Sequence, residues 1–160
     1  MYGTILVVDD NADIRETTRL MLSRDGYEAW LAPDAASAMQ LMNQPVLACA
    51  VCAVLCDLVM PNGSGTDLIV YLRKYHPAVP IIVFSGTDDT GFLQGVLQEG
   101  VCDWMRKPVL RETLLQKVRT AVHLFTLRKQ RDMDDEPVSM HPRAATSGVE
   151  TFQTSEGSAT

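Results

Sequence analysis

The chain has 160 residues, enough for one domain with a real core, and it is 46% hydrophobic and 21% charged, with a formal net charge of −6. So acidic a balance disfavours direct nucleic-acid binding, whose usual footprint is a basic stripe. The longest apolar run, Pro45 to Cys56, falls short of the roughly 18 residues that a membrane span needs, and the start Met1-Tyr2-Gly3-Thr4 lacks the basic region of a signal peptide.

In chain order, Thr4-Ile5-Leu6-Val7-Val8 is β-branched and apolar and reads as a fully buried strand ending in Asp9-Asp10. Asn11-Ala12-Asp13 offers a cap and first-turn acid for a helix. Ile14, Thr18, Met21 and Leu22 recur at helical spacing, with Arg15, Glu16 and Arg19 placed outside and Gly26 as the stop. Tyr27 to Ala32 reads as a second strand. Pro33-Asp34 opens a second helix with Ala35, Ala38, Leu41 and Met42 inward, broken by Pro45. The third strand ends at Asp57, where Pro61-Asn62-Gly63 makes a turn.

Gly63-Ser64-Gly65 leads into a third helix with Leu68, Ile69 and Leu72 inward, stopped near His76-Pro77. Pro80 to Ser85 is a fourth buried strand. A fourth helix follows Gly86 and runs to about Glu99; Gly91 and Gly95 each weaken it by about 1 kcal/mol relative to alanine, which predicts the most mobile helix of the set. Cys102 to Arg106 is a fifth strand leading to Lys107-Pro108. A last helix starts near Leu110 and turns Leu114, Leu115, Val118, Val122 and Phe125 to one face; it either ends near Phe125 or continues through Arg131 as a connector. Five strands alternating with five helices imply a parallel sheet covered on both faces by right-handed crossovers. From Asp132 to Thr160 the composition turns acidic and then rich in Ser, Thr, Gly and Ala, as in a disordered tail or linker.

Four strand ends carry polar groups: Asp9 and Asp10, Asp57, Ser85 and Lys107. Three carboxylates brought together repel and hold protons unless a cation joins them. Mg²⁺ suits such a set because it takes oxygen ligands and completes its shell with water and phosphate. A lysine adds a point charge for the same phosphate, and a carboxylate can itself be the nucleophile. The residues therefore describe a site for placing a phosphoryl group on or beside Asp57, where positioning and charge neutralisation supply most of the catalysis. Cys49-x-x-Cys52 invites a zinc or redox reading, but a zinc site needs four ligands; with Cys56 and Cys102 in or beside strands, buried inert thiols are expected, which fits a reducing, cytoplasmic compartment.

On the acidic pair Asp9-Asp10, the segment Asp57-Leu58-Val59-Met60-Pro61 with Gly65, Ser85-Gly86 and Lys107-Pro108, the chain resembles the receiver domain of two-component response regulators over about residues 3–128. The resemblance implies a flavodoxin-like, doubly wound α/β fold: a five-stranded parallel sheet of order 2-1-3-4-5 with five helices, its switch point between the first and third strands. It also implies a receiver over 1–128, with 129–160 a tail or a linker to a missing output domain. Carried over residue by residue, Asp57 would be the phosphoacceptor for a histidine kinase or phosphotransfer protein. Asp10 would bind Mg²⁺ directly, Asp9 through water, and the Val59 carbonyl would add a ligand. Lys107 and Ser85 would contact the phosphoryl group. Ser85 and Trp104 would be the switch pair, and Lys107–Pro108 a cis peptide. The output face would comprise the fourth helix, fifth strand and last helix, which could also pair two copies.

Such a protein is no enzyme beyond its own phosphorylation and slow dephosphorylation. Two features depart from the commonest pattern: Trp104 stands where Tyr or Phe is usual, and Val59 and Thr87 stand where polar groups often act on water. Val59 predicts a long-lived phosphoryl group. The competing readings are a phosphorylation-independent interaction module of the same fold and a phosphatase of the haloacid dehalogenase type. The latter resembles Asp-x-Asp after its first strand, where this chain has Asp9-Asp10-Asn11 and no cap domain. A nucleotide-binding kinase is excluded by the lack of a Gly-rich loop.

Overall fold

The computed structural model describes residues 2–61, 65–86, 94–95, 97–98 and 100–135. Its strands are β1 (Thr4–Val8), β2 (Glu28–Ala32), β3 (Val51–Asp57), β4 (Ile81–Ser85) and β5 (Asp103–Arg106). They form one sheet of order β2-β1-β3-β4-β5, parallel at every pairing, with β1 aligned so that Val8 faces both Ala32 and Cys56. All five residues of β1 and all five of β4 are buried, as befits central strands covered on both faces.

The helices are α1 (Ala12–Ser23), α2 (Ala35–Met42), α3 (Pro45–Ala50), α4 (Gly65–Tyr75) and α5 (Arg111–Asp134). Alternate residues of each strand feed two cores. Ile5, Val7, Leu55, Ile82 and Phe84 pack with Leu22 of α1 and Leu114, Val118 and Ala121 of α5. Leu6, Val8, Val54, Cys56 and Val83 pack with Ala38 and Met42 of α2 and Leu68, Ile69 and Leu72 of α4. The period of two along a strand sorts these residues to opposite sides without any further instruction.

Local chemistry sets the element ends. The Asn11 side chain accepts hydrogen bonds from the amides of Asp13 and Ile14, at 2.9 and 3.2 Å, and so caps α1. Asp34 caps α2 through the Ser37 amide. Gly26 turns the chain from α1 to β2 at φ +82°, a left-handed conformation that glycine alone adopts freely.

Several expectations are revised. Pro45 does more than break α2. With Gln44 extended before it, its ring presets the first turn of α3, so β3 begins only at Val51. None of the α3 residues is buried, and Cys49 is exposed; only Cys56 of the four cysteines is a buried thiol. The helix expected after Gly86 falls mostly outside the described residues, as does its mobility; Gln94, Gly95, Leu97 and Gln98 are helical. Thr87 also lies outside them.

Of the two readings of the last helix, the longer one holds. α5 runs unbroken to Asp134, so residues 129–134 are helical. Its second half is held by contacts beyond the main core. Phe125 packs against the α2–α4 cluster, Lys129 sits 5.7 Å from the Phe125 ring centroid, and Arg128 Nη2 donates to Cys102 Sγ at 3.9 Å. Residues 136–160 lie outside the described residues.

Candidate functional site

The parallel sheet aligns its strand ends, and the acidic residues meet where β1 and β3 run out side by side. Asp9 follows β1 directly. Its amide donates to the Ala32 carbonyl at 3.2 Å, and its side chain is wholly buried. One Asp9 carboxylate oxygen accepts from the Asn11 amide at 2.9 Å and the other from Lys107 Nζ at 2.6 Å. Asp57 closes β3 and is 5% exposed. It accepts from the Val59 amide at 3.1 Å and from the same Lys107 Nζ at 3.0 Å. Asp10 is exposed at the mouth, and carboxylate oxygens of Asp9, Asp10 and Asp57 lie within 4.8 Å of one another.

Each neighbour is placed by an ordinary backbone device. Lys107 reaches the cluster because its amide continues the β5 ladder, donating to the Ser85 carbonyl at 2.9 Å; the Lys107–Pro108 bond that follows is cis. Ser85 ends β4 and is buried. The chain leaves Asp57 through Leu58, whose amide donates to the Phe84 carbonyl at 3.4 Å, and it then crosses back over itself at Gly65. A Cβ on Gly65 would lie 2.3 Å from the Asp57 carbonyl oxygen, a contact no side chain tolerates. The Cys56 thiol also donates to that carbonyl, at 3.2 Å. Trp104, paired with Val83 on β5, is half-buried against the α2–α4 core.

Burial and charge work against each other here. Burial pushes the Asp57 carboxyl above the usual range. The Lys107 hydrogen bond and the Val59 amide oppose this, and the Asp9 charge adds to it. For Lys107, burial alone would disfavour the ammonium, but its hydrogen bonds to Asp9 and Asp57 and their charges more than offset that and raise its pKa. The cluster places three carboxyl groups in this corner with one ammonium. Its donors are all oxygens on rigid strand ends, a set that fits a hard, small divalent cation rather than zinc or copper.

Two features were not legible in the sequence reading. Arg15, assigned there to the outer face of α1, instead donates from Nη1 to the Asp9 carbonyl at 2.6 Å and braces the turn that carries the acidic pair. Helical spacing put it on the polar face correctly, but that face borders the site. The second feature is a groove of about 470 Å³ between α1 and the loop after β5, lined by Ile14, Thr18, Met21, Lys107, Pro108 and Val109 among others. Lys107 belongs both to this groove and to the acidic cluster.

Comparison with known proteins adds the family context. Residues 5–119 match the family model described as the response regulator receiver domain. The chain is 30% identical over 131 residues to the hydrogenase transcriptional regulatory protein HoxA of Bradyrhizobium diazoefficiens, covering 81% of this chain and 26% of that protein. It is 35% identical over 117 residues to the response regulator MprA of a Mycobacterium species, covering 72% of this chain and 48% of that one. The chain thus spans about a quarter to a half of these curated relatives. Among solved structures, the receiver domain of NtrX from Brucella abortus superposes with a TM-score of 0.68 at 30% identity, covering 74% of this chain and 98% of that one.

Proposed function

The chain belongs to the response regulator receiver domain family, and from that membership and the geometry of its strand-end cluster we propose that it accepts a phosphoryl group on Asp57 and passes the event on as a change of shape. The observation that carries this reading is Lys107 Nζ bridging Asp9 and Asp57 at 2.6 and 3.0 Å, with Asp10 beside them. A structural ion pair needs one carboxylate. Two buried carboxylates on one ammonium, with a third carboxylate beside them at a sheet edge, are a costly arrangement that a phosphate and a cation would complete.

In the proposed step an Asp57 carboxylate oxygen attacks the phosphorus of a phosphohistidine on a histidine kinase or phosphotransfer protein. The P–O bond forms as the P–N bond breaks, and the departing imidazole nitrogen takes a proton. Lys107 follows the growing charge onto the phosphoryl oxygens, and the Val59 amide holds the other Asp57 oxygen in line. A Mg²⁺ held by Asp9, Asp10, Asp57 and the Val59 carbonyl would supply positive charge to those oxygens. The donor would approach through the groove along α1.

The phosphoryl group then competes for Ser85, and Trp104 would follow Ser85 inward, reshaping the face made by β5, α5 and the helix between β4 and β5. Such a switch is a bistable element biased by local charge. A second copy of the chain is a candidate partner for that face. Val59 is 71% exposed and apolar, so it cannot orient an attacking water, and the phosphoryl group should persist.

The test is intact mass after incubation with Mg²⁺ and either acetyl phosphate or phosphoramidate. One added phosphoryl group in the wild type and none in Asp57→Asn supports the reading. No gain with either donor, while Mg²⁺ still binds, would leave an interaction module that works without phosphorylation.

A further inference from the structure

A second groove lies at the opposite edge of the sheet, at the amino ends of β3 and β4, and nothing in the phosphoryl-transfer reading uses it. It holds about 500 Å³. One wall is α3, through Pro45, Ala48 and Cys49. The other is the end of α4 with the turn after it, through Tyr75, His76 and Pro77. Phe125, Lys129 and Asp132 form its third side, a single stripe of α5 at helical spacing. The lining includes a ring cluster: Tyr71 lies 5.0 Å from Tyr75 and 5.7 Å from His76 between centroids, both pairs tilted, with Phe125 on the third side. The groove therefore depends on α3 and on the α5 extension, and that extension lies beyond the residues 5–119 that match the family.

We propose that this groove is the docking site for the chain's own segment 136–142, Glu136-Pro137-Val138-Ser139-Met140-His141-Pro142. Four observations converge on that occupant. The first is position: α5 delivers the chain to Asp135, within one turn of Asp132 on the groove rim, and 25 further residues follow to Thr160.

The second is direction. Pro137 lacks an amide hydrogen and its ring disfavours helical backbone at the residue before it, so the sequence carries a helix-breaking signal two residues past Asp135, at the rim. The third is reach. The stripe from Asp132 back to Phe125 is about 10 Å long at the helical rise, and seven extended residues cover about 23 Å. There is enough chain to turn and lie along the whole stripe.

The fourth is chemistry. Pro137, Val138, Met140 and Pro142 are apolar, proline rings pack on aromatic faces, and methionine adapts to irregular gaps. Tethering makes the local concentration millimolar for so short a connection, so even a weak contact would be populated. The docked segment would lie across the end of the sheet remote from Asp57, leaving the carboxylate cluster open.

The experiment compares the full chain with the full-chain double variant Val138→Asp/Met140→Asp. Cys49 is exposed on the groove wall, and its alkylation by a neutral maleimide is followed by peptide mass, with Cys102 as the internal reference. The substitutions lie outside every described element, so loss of folding does not cloud the result. At a local concentration a few times the dissociation constant, Cys49 should react about three- to fivefold faster in the variant. The Cys102 rate should be unchanged. Equal Cys49 rates in the two chains overturn the proposal. So does protection in the wild type that disappears on dilution, which would point to a second copy in the groove.

Discussion

Replacing Lys107 by methionine keeps an unbranched apolar stem and removes the one ammonium that bridges Asp9 and Asp57. Asp9 is wholly buried and Asp57 is 5% exposed, so the variant leaves two carboxylates in a poorly hydrated place with no partner charge. Removing one member of a buried ion pair typically costs about 3–5 kcal/mol. Here the cost is smaller on two grounds. The lysine side chain is itself 21% exposed and partly screened. Burial also raises the Asp57 pKa, so proton uptake becomes easier once the ammonium is gone. The net loss should be about 2–3 kcal/mol at neutral pH, on the order of a 1 M fall in the urea midpoint.

The assay is equilibrium urea unfolding with and without Mg²⁺. The cation should stabilise the variant more than the wild type, because in the variant it no longer competes with an ammonium for the same oxygens. The gap between the two proteins should therefore narrow as Mg²⁺ rises. A loss below about 0.5 kcal/mol would show that the bridge is not what stabilises the buried carboxylates. An unchanged gap at saturating Mg²⁺ would show that the cation binds elsewhere, and the proposed ligand set would fall with it.

Three further outcomes follow from the same geometry. Gly65→Ala places a Cβ 2.3 Å from the Asp57 carbonyl oxygen and 2.9 Å from Leu58 Cα, both backbone, so it should cost about 2 kcal/mol or more and slow phosphorylation of Asp57; near wild-type values for both would refute the crossing. Asn11→Ala removes the two cap bonds of α1 and should lower stability by about 1 kcal/mol in urea unfolding, with the Asn11 amide still free to hold Asp9. The pH dependence has a definite sign. Because burial raises the folded Asp57 pKa above its ordinary 3.8, the folded state holds a proton that the unfolded chain has released. In metal-free buffer this group's contribution to stability therefore falls as pH climbs through that window and is flat above it. The stability of the wild type relative to Asp57→Asn should decline over the same range; a rise would mean that Lys107 outweighs burial.

The sequence alone specified where the strands fall, the buried character of β1, β3 and β4, and the polar residue at the end of four strands, because a run of β-branched and apolar residues halted by Asp, Ser or Lys is a local pattern. Asn11 as a cap was legible for the same reason, and so was the inward face of α4 at Leu68, Ile69 and Leu72. Tertiary structure decided everything that depends on elements meeting. Pro45 could be seen as a helix breaker, but whether it ends one helix or starts another depends on where β3 must pair with β1, and that pairing fixed the strand start at Val51. The reach of α5 to Asp134 was ambiguous because its later turns are polar; Phe125 and Arg128 find their partners on α2–α4 and at Cys102, far away in sequence. Arg15 looked like a solvated face until the sheet edge came up beside it. Side-chain type and spacing are properties of a short stretch, whereas the single ammonium shared by Asp9 and Asp57 joins residues 98 and 50 positions apart, and only a folded parallel sheet brings those distances to hydrogen-bond length.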